Sequence, residues 1–123
     1  MNMIKTTTRM VLAAAAFGLA SSAHAVKIDN LQCSDNYEPV RQEAPVYPRR
    51  AQARGIQGHI VMGFTIHKDG TVGDIKVLDQ DPENTFIRTA TRAVESLQFP
   101  PCVVNGQSME QSAVSIRYEF RLQ

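Results

Sequence analysis

Few side chains in this 123-residue sequence are placed to do chemistry. Beyond residue 25 the only histidines are His59 and His67, eight residues apart, which fits neither H-E-x-x-H nor any other ligand spacing. Asp69, Asp74, Asp79 and Asp81 are scattered at turns and lack the D-x-D-x-D-G order of a calcium loop. Ser108, Ser112 and Ser115 have no nucleophile-elbow context, and no Gly-rich phosphate loop is present. Cys33 and Cys102 have no C-x-x-C spacing, which argues against a redox motif. These residues predict no catalytic centre, no metal and no cofactor. The chemistry left is that of the backbone itself.

That points to the last strand. From Ala113 to Leu122, Val114, Ile116, Tyr118, Phe120 and Leu122 fall on one face of an extended chain. Ser115, Arg117, Glu119 and Arg121 fall on the other. Such alternation predicts a half-buried antiparallel strand with one wet face.

The elements that position this strand begin after a leader. Met1 to Arg9 carries Lys5 and Arg9, Met10 to Ala20 is apolar, and Ala23-His24-Ala25 puts small residues where a signal peptidase reads. Residues 1–25 are expected to be a signal cleaved after Ala25, delivering a chain that starts at Val26 to the periplasm. A membrane anchor is the alternative, but the apolar run is roughly half the length a spanning helix needs. Losing Lys5 and Arg9 from 13 basic residues leaves 11 against 12 acids. A nearly neutral chain without a basic run lacks the footprint of a nucleic-acid or anionic-membrane binder. In an exported chain two cysteines favour a Cys33–Cys102 disulfide, with two separate thiols as the alternative.

Val26 to Glu43 is polar, without a sustained period, and reads as an extended arm. Pro48 suits the first turn of a helix and Gly55 its stop, predicting a short helix over Pro48–Arg54 with Ala51 inward. Gly58 to Ile66 alternates as a strand. His67-Lys68-Asp69-Gly70 turns the chain and Thr71 to Leu78 returns it. Asp81 is placed to cap a helix over Pro82–Gln98, with Phe86, Ala90, Ala93 and Leu97 on its apolar side. Pro100-Pro101 ends that helix, and Cys102 to Gln111 reads as a loop turning at Asn105-Gly106.

The predicted class is α+β: a small antiparallel three-stranded sheet, order 2-1-3, with two helices on one face. The domain runs over residues 44–123. The third strand is left with one unpaired edge, which is either protected by Arg117, Glu119 and Arg121 or used for strand addition.

An ordered set of short motifs resembles the TonB C-terminal domain. It comprises Tyr47-Pro48, Gly58-x-Ile60-x-Met62-x-Phe64, Asp69-Gly70-x-Val72, Ala90-x-x-Ala93-Val94, Phe99-x-Pro101, Gly106 and Tyr118-x-Phe120-x-Leu122. The TolA C-terminal domain has a similar outline without the Tyr-Pro opening. The resemblance implies a non-enzymatic periplasmic domain that binds a segment of an outer-membrane transporter. Its partner-binding positions would be Val114, Ser115, Ile116, Arg117 and Tyr118 on the last strand, with Ala44, Pro45, Val46, Tyr47 and Pro48 nearby. The sequence departs from the full-length family in having a short leader in place of an uncleaved membrane helix and a Pro-rich spacer. Ala44 also stands where better-known members tend to have a polar residue. The alternative is a structural role in which the same edge pairs with a second copy or docks in an envelope complex.

Overall fold

The computed structural model describes residues 21–33 and 37–123. The charged start and apolar run of the expected leader, residues 1–20, lie outside the described residues. Ile60, Met62, Phe64 and Ile66 are all buried along β2 (Gly58–Ile66), and Val114, Ile116, Tyr118 and Phe120 are buried along β6 (Gln111–Leu122). These two strands pair antiparallel and present one continuous apolar face. Ala51 of α1 (Arg49–Ala53) and Ala90, Ala93 and Val94 of α2 (Ile87–Glu95) bury into the same core.

β3 (Val72–Asp81) pairs with β2 across the turn at Gly70, where φ is +89°. A side chain there would run into the Phe99 carbonyl. The Phe99 N–H also donates to the Gly70 carbonyl at 2.9 Å, so the hairpin tip is tied to the chain that follows α2. The expected order of the three strands, β3–β2–β6, is present.

Four expectations need correction. The sheet has four strands, in the order β1-β6-β2-β3, because β1 (Ser21–Asp29) adds to the outer side of β6. The stretch from Cys102 to Gln111 is not a plain loop. β4 (Cys102–Val104) and β5 (Gln107–Met109) form a separate hairpin, with Asn105 and Gly106 at φ +53° and +81° as a two-residue turn needs. Asp81 does not cap a helix; it ends β3. Asn84 sits at φ +58° in a turn, a left-handed conformation that delays α2 to Ile87. The short helix is also trimmed, with Pro48 and Arg54 as its flanking residues.

The arm packs against the domain. Val40 N–H donates to the Gln98 carbonyl at 2.7 Å, Gln98 N–H returns a bond to the Arg41 carbonyl at 3.0 Å, and Tyr37 stacks on Phe99 with centroids 5.5 Å apart. Cys33 and Cys102 form a disulfide with Cα atoms 5.9 Å apart, which anchors the chain just after β1.

Candidate partner-binding site

The segment 44–48 is held by one buried aromatic. Tyr47 lies edge-on to Phe86 and Phe120, with centroids 6.0 and 5.5 Å away, and those two rings stack on each other at 4.0 Å. Its hydroxyl donates to the Ile56 carbonyl at 2.5 Å, and burial raises its pKa. Tyr47 is therefore a core residue that positions its neighbours; at 8% exposure it offers little surface to a partner. Pro45 is buried and Pro48 half-buried. Ala44 is exposed, and Val46 stands out at 75% exposure. The Val46 carbonyl accepts a bond from the Thr89 hydroxyl at 2.6 Å, which ties the segment to α2. Between the two runs a groove of about 660 Å³, walled by Ala44, Pro45 and Val46 on one side and Arg88, Thr89 and Arg92 on the other.

Val114, Ile116 and Tyr118 turn their side chains into the core, and burial raises the Tyr118 pKa strongly. Ser115 and Arg117 lie half-exposed on the wet face. Only backbone groups and this wet face are thus offered to a partner. Glu119 sits between Arg117 Nε at 2.7 Å and Arg121 Nη2 at 2.8 Å, and its side chain is 13% exposed. Burial by itself would raise the Glu119 pKa. The Arg117 hydrogen bond and the charges of Arg117, Arg121 and His59 outweigh it, so the carboxyl is held below its usual range. His59 in turn contacts Asp79 at 2.9 Å, and its hydrogen bond lowers the Asp79 pKa.

The expected free edge is not free. β1 runs antiparallel along it, pairing Asp29 with Ser115, Ile28 with Ile116, Lys27 with Arg117 and Ala25 with Tyr118, and continues to Ser21 opposite Leu122. The register shifts once, between Ala25 and Lys27. The physical reason is that β6 carries a row of backbone donors and acceptors on that side, and a strand anchored nearby satisfies them. Asn30 Nδ2 donates to the Ala113 carbonyl at 3.2 Å, and Gln32 N–H donates to Gln111 Oε1 at 2.7 Å, which extends the attachment past the strand. The signal for β1 was in the sequence as Ala23-x-Ala25, two inward residues at strand spacing that also have the small-residue pattern expected of a peptidase site. The α2 wall of the groove, with Arg88, Thr89 and Arg92, carries no such signal in the sequence.

The two halves of the expected site meet in one place. A hollow of about 300 Å³ opens between Ala25, Glu43, Ala44 and Tyr118. Among the described residues no group of three or more His, Cys, Asp or Glu side chains could hold a metal, and no helix is long and apolar enough to cross a membrane.

Residues 43–122 match the family described as Gram-negative bacterial TonB protein C-terminal. The chain belongs to the TonB C-terminal domain family. It is 40% identical over 79 residues to Protein TonB of Pseudomonas aeruginosa, an alignment covering 64% of this chain and 23% of that protein. With Protein TonB of Escherichia coli K12 the identity is 35% over 57 residues, covering 46% of this chain and 24% of the other. The chain thus spans about a quarter of the curated relatives it matches. The solution NMR structure of the Pseudomonas aeruginosa TonB C-terminal domain matches with a TM-score of 0.53 at 36% identity, covering 73% of this chain and 85% of that one. The TonB2 protein of Vibrio anguillarum matches with a TM-score of 0.55 at 30% identity, covering 93% and 97%. β1 lies ahead of the residues that match the TonB family description.

Proposed function

We propose that this chain is a non-enzymatic periplasmic domain that captures an extended segment of an outer-membrane transporter, or of another envelope protein, by strand addition to β6. It takes part in TonB-dependent transport in that role. The leader is removed after Ala25 and the remaining chain works in the periplasm. The contact uses the backbone of Val114, Ser115, Ile116, Arg117 and Tyr118 and its continuation to Leu122. Ala44 and Val46 contribute surface, and Pro45, Tyr47 and Pro48 hold them in place.

The observation that carries this reading is that the outer side of β6 accepts a strand from outside the family match. The eight register pairs of β1 involve no fully buried residue of β1. An edge that pairs with a strand through backbone bonds suits peptide capture, where main-chain bonds supply affinity and alternate pockets supply selectivity.

Self-pairing of two copies through the same edge is the second reading. In such a dimer, matching opposite charges across an antiparallel junction would need Arg117 and Glu119 free to face a partner. They are already bonded to each other within β6, which favours a foreign strand over a second copy.

A backbone amide shift titration of the chain from Val26 with extended transporter segments, at two protein concentrations, tests the reading. Shifts confined to β6 and residues 44–46 are expected. An absence of shifts with every segment, together with a mass that doubles on concentration, would move the function to self-assembly.

A further inference from the structure

The side of α2 beside the segment 44–48 carries charge that the fold leaves unanswered. The groove of about 660 Å³ there has an apolar wall of Ala44, Pro45 and the exposed Val46. Arg88 and Arg92 of α2 wall the other side, and Arg50 of α1 also lines it. Among the described residues no acidic side chain forms an ion pair with any of these three arginines. Glu43 is the single acid among the described lining residues, and it pairs with Arg41 at 3.5 Å. Arg88 and Arg92 stand four residues apart on one helix, where like charges repel. Elsewhere the chain answers such a pair, as Glu119 does between Arg117 and Arg121. The groove is also built in advance of any ligand. The Thr89 hydroxyl donates to the Val46 carbonyl at 2.6 Å and the Glu43 N–H donates to Ser96 Oγ at 3.1 Å, so the two walls are joined at two levels. Tyr47 anchors the apolar wall on the rings of Phe86 and Phe120.

We propose that this groove binds an extended acidic segment of a partner protein, with two carboxylates two residues apart and an aliphatic side chain between them. Arg88 and Arg92 are about 6 Å apart along the axis of α2. Residues i and i+2 of an extended chain are roughly 6.6 Å apart and point the same way, so two carboxylates at that spacing meet both guanidinium groups. Each contact is a charge-assisted Arg–carboxylate hydrogen bond. The residue between the carboxylates points the opposite way, onto Val46 and Ala44. A phosphate or a sugar acid would answer the arginines and leave Val46 in water. The chain from Val26 is nearly neutral, so the attraction is local to the groove. The site shares Ala44 and Val46 with the proposed function. It needs no contact with β6, and so does not depend on the strand-addition reading.

The test uses the chain from Val26, which keeps the whole core because the buried core residues lie at Tyr37 or later. The probes are three peptides of equal length with Glu-Val-Glu, Glu-Glu-Val or Gln-Val-Gln at the centre. Affinity is read by calorimetry and position by amide shifts. Shifts are expected on Val46 and on α2 from Arg88 to Arg92. The Glu-Val-Glu peptide should bind about five-fold more tightly than Glu-Glu-Val, in which one carboxylate points away from α2, and about ten-fold more tightly than Gln-Val-Gln. Arg88→Gln/Arg92→Gln should lose about ten-fold in affinity, with a thermal melt that is unchanged or higher because the like-charge pair is gone. Arg49→Gln, on the exposed side of α1 and outside the groove, should keep its affinity within about two-fold. Equal binding of Glu-Val-Glu and Glu-Glu-Val, or an equal loss in Arg49→Gln, would reduce the groove to diffuse charge and overturn the proposal. An oligogalacturonate that binds as tightly as the peptide would also overturn it and give the groove to an acidic glycan. Shifts on β6 with none on α2 would overturn this site and leave the strand-addition reading standing. Glu-Val-Glu shifts on α2, with no transporter segment shifting β6, would keep this site and remove that reading.

Discussion

Reduction of the Cys33–Cys102 bond is the perturbation whose effect can be worked most directly from the structure. The bond joins residues 69 apart in sequence. The chain-entropy relation gives about 4 kcal/mol for a closed loop of that length. The folded state has little reason to change when the bond opens. Cys102 is buried at the start of β4, and Cys33 packs against the core next to the Gln32–Gln111 hydrogen bond. The loss therefore appears as greater freedom of the unfolded chain, with the native amide spectrum retained outside residues 27–33 and 102–111. A small domain has roughly 5–15 kcal/mol in total, so this is a large share. With a urea slope of roughly 1–2 kcal/mol per molar, the unfolding midpoint should fall by roughly 2–4 M. The assay is a urea titration of the chain from Val26 with and without a thiol reductant, with the Cys33→Ser/Cys102→Ser protein as a second reduced state. A loss below about 1 kcal/mol at unchanged slope would refute the loop-entropy reasoning.

Other perturbations separate the remaining parts of the fold. Gly70→Ala places a methyl group against the Phe99 carbonyl at a residue with φ +89°, and should cost more than roughly 2 kcal/mol by denaturation. Phe120→Ala removes the ring stacked on Phe86 at 4.0 Å and the face against which Tyr47 packs. It should cost roughly 3–5 kcal/mol in the same assay. Glu119 has a folded pKa held below its unfolded value, so its stabilisation is present above the unfolded value of about 4.3 and disappears as pH falls through the folded one. Glu119→Gln should therefore flatten the loss of stability on acidification below about pH 5, read from thermal melts across that range.

Much of the fold was legible because period-two alternation in Gly58–Ile66 and Ala113–Leu122 leaves one arrangement that buries both apolar faces. The turn at Asp69-Gly70 and the helix stop at Gly55 were equally plain, since few residues other than glycine take those backbone angles readily. The start of α2 lies later than expected because Asp81-Pro82 has the composition of a cap while Asp81 is still the last residue of β3. The hairpin β4–β5 leaves no period in the sequence because its strands are three residues each. β1 is hidden in the sequence for a different reason. Ala23 and Ala25 satisfy two demands at once, a peptidase's need for small residues and a sheet's need for small inward side chains, and only the first is a local signal. Among the candidate site residues, the exposure of Ala44 and Val46 and the burial of Tyr47 depend on the stack with Phe86 and Phe120, residues far away in sequence. No spacing within 44–48 reports that.

The central claim is that β6 takes up a foreign strand. Its most direct test is to collect cross-strand nuclear Overhauser contacts between an isotope-labelled chain from Val26 and an unlabelled transporter segment. The account predicts Hα–Hα and amide–amide contacts between the segment and alternate residues from Tyr118 to Leu122, in antiparallel register. Contacts confined to the α2 side of the groove at Arg88 and Arg92, with none to the β6 backbone, would contradict it.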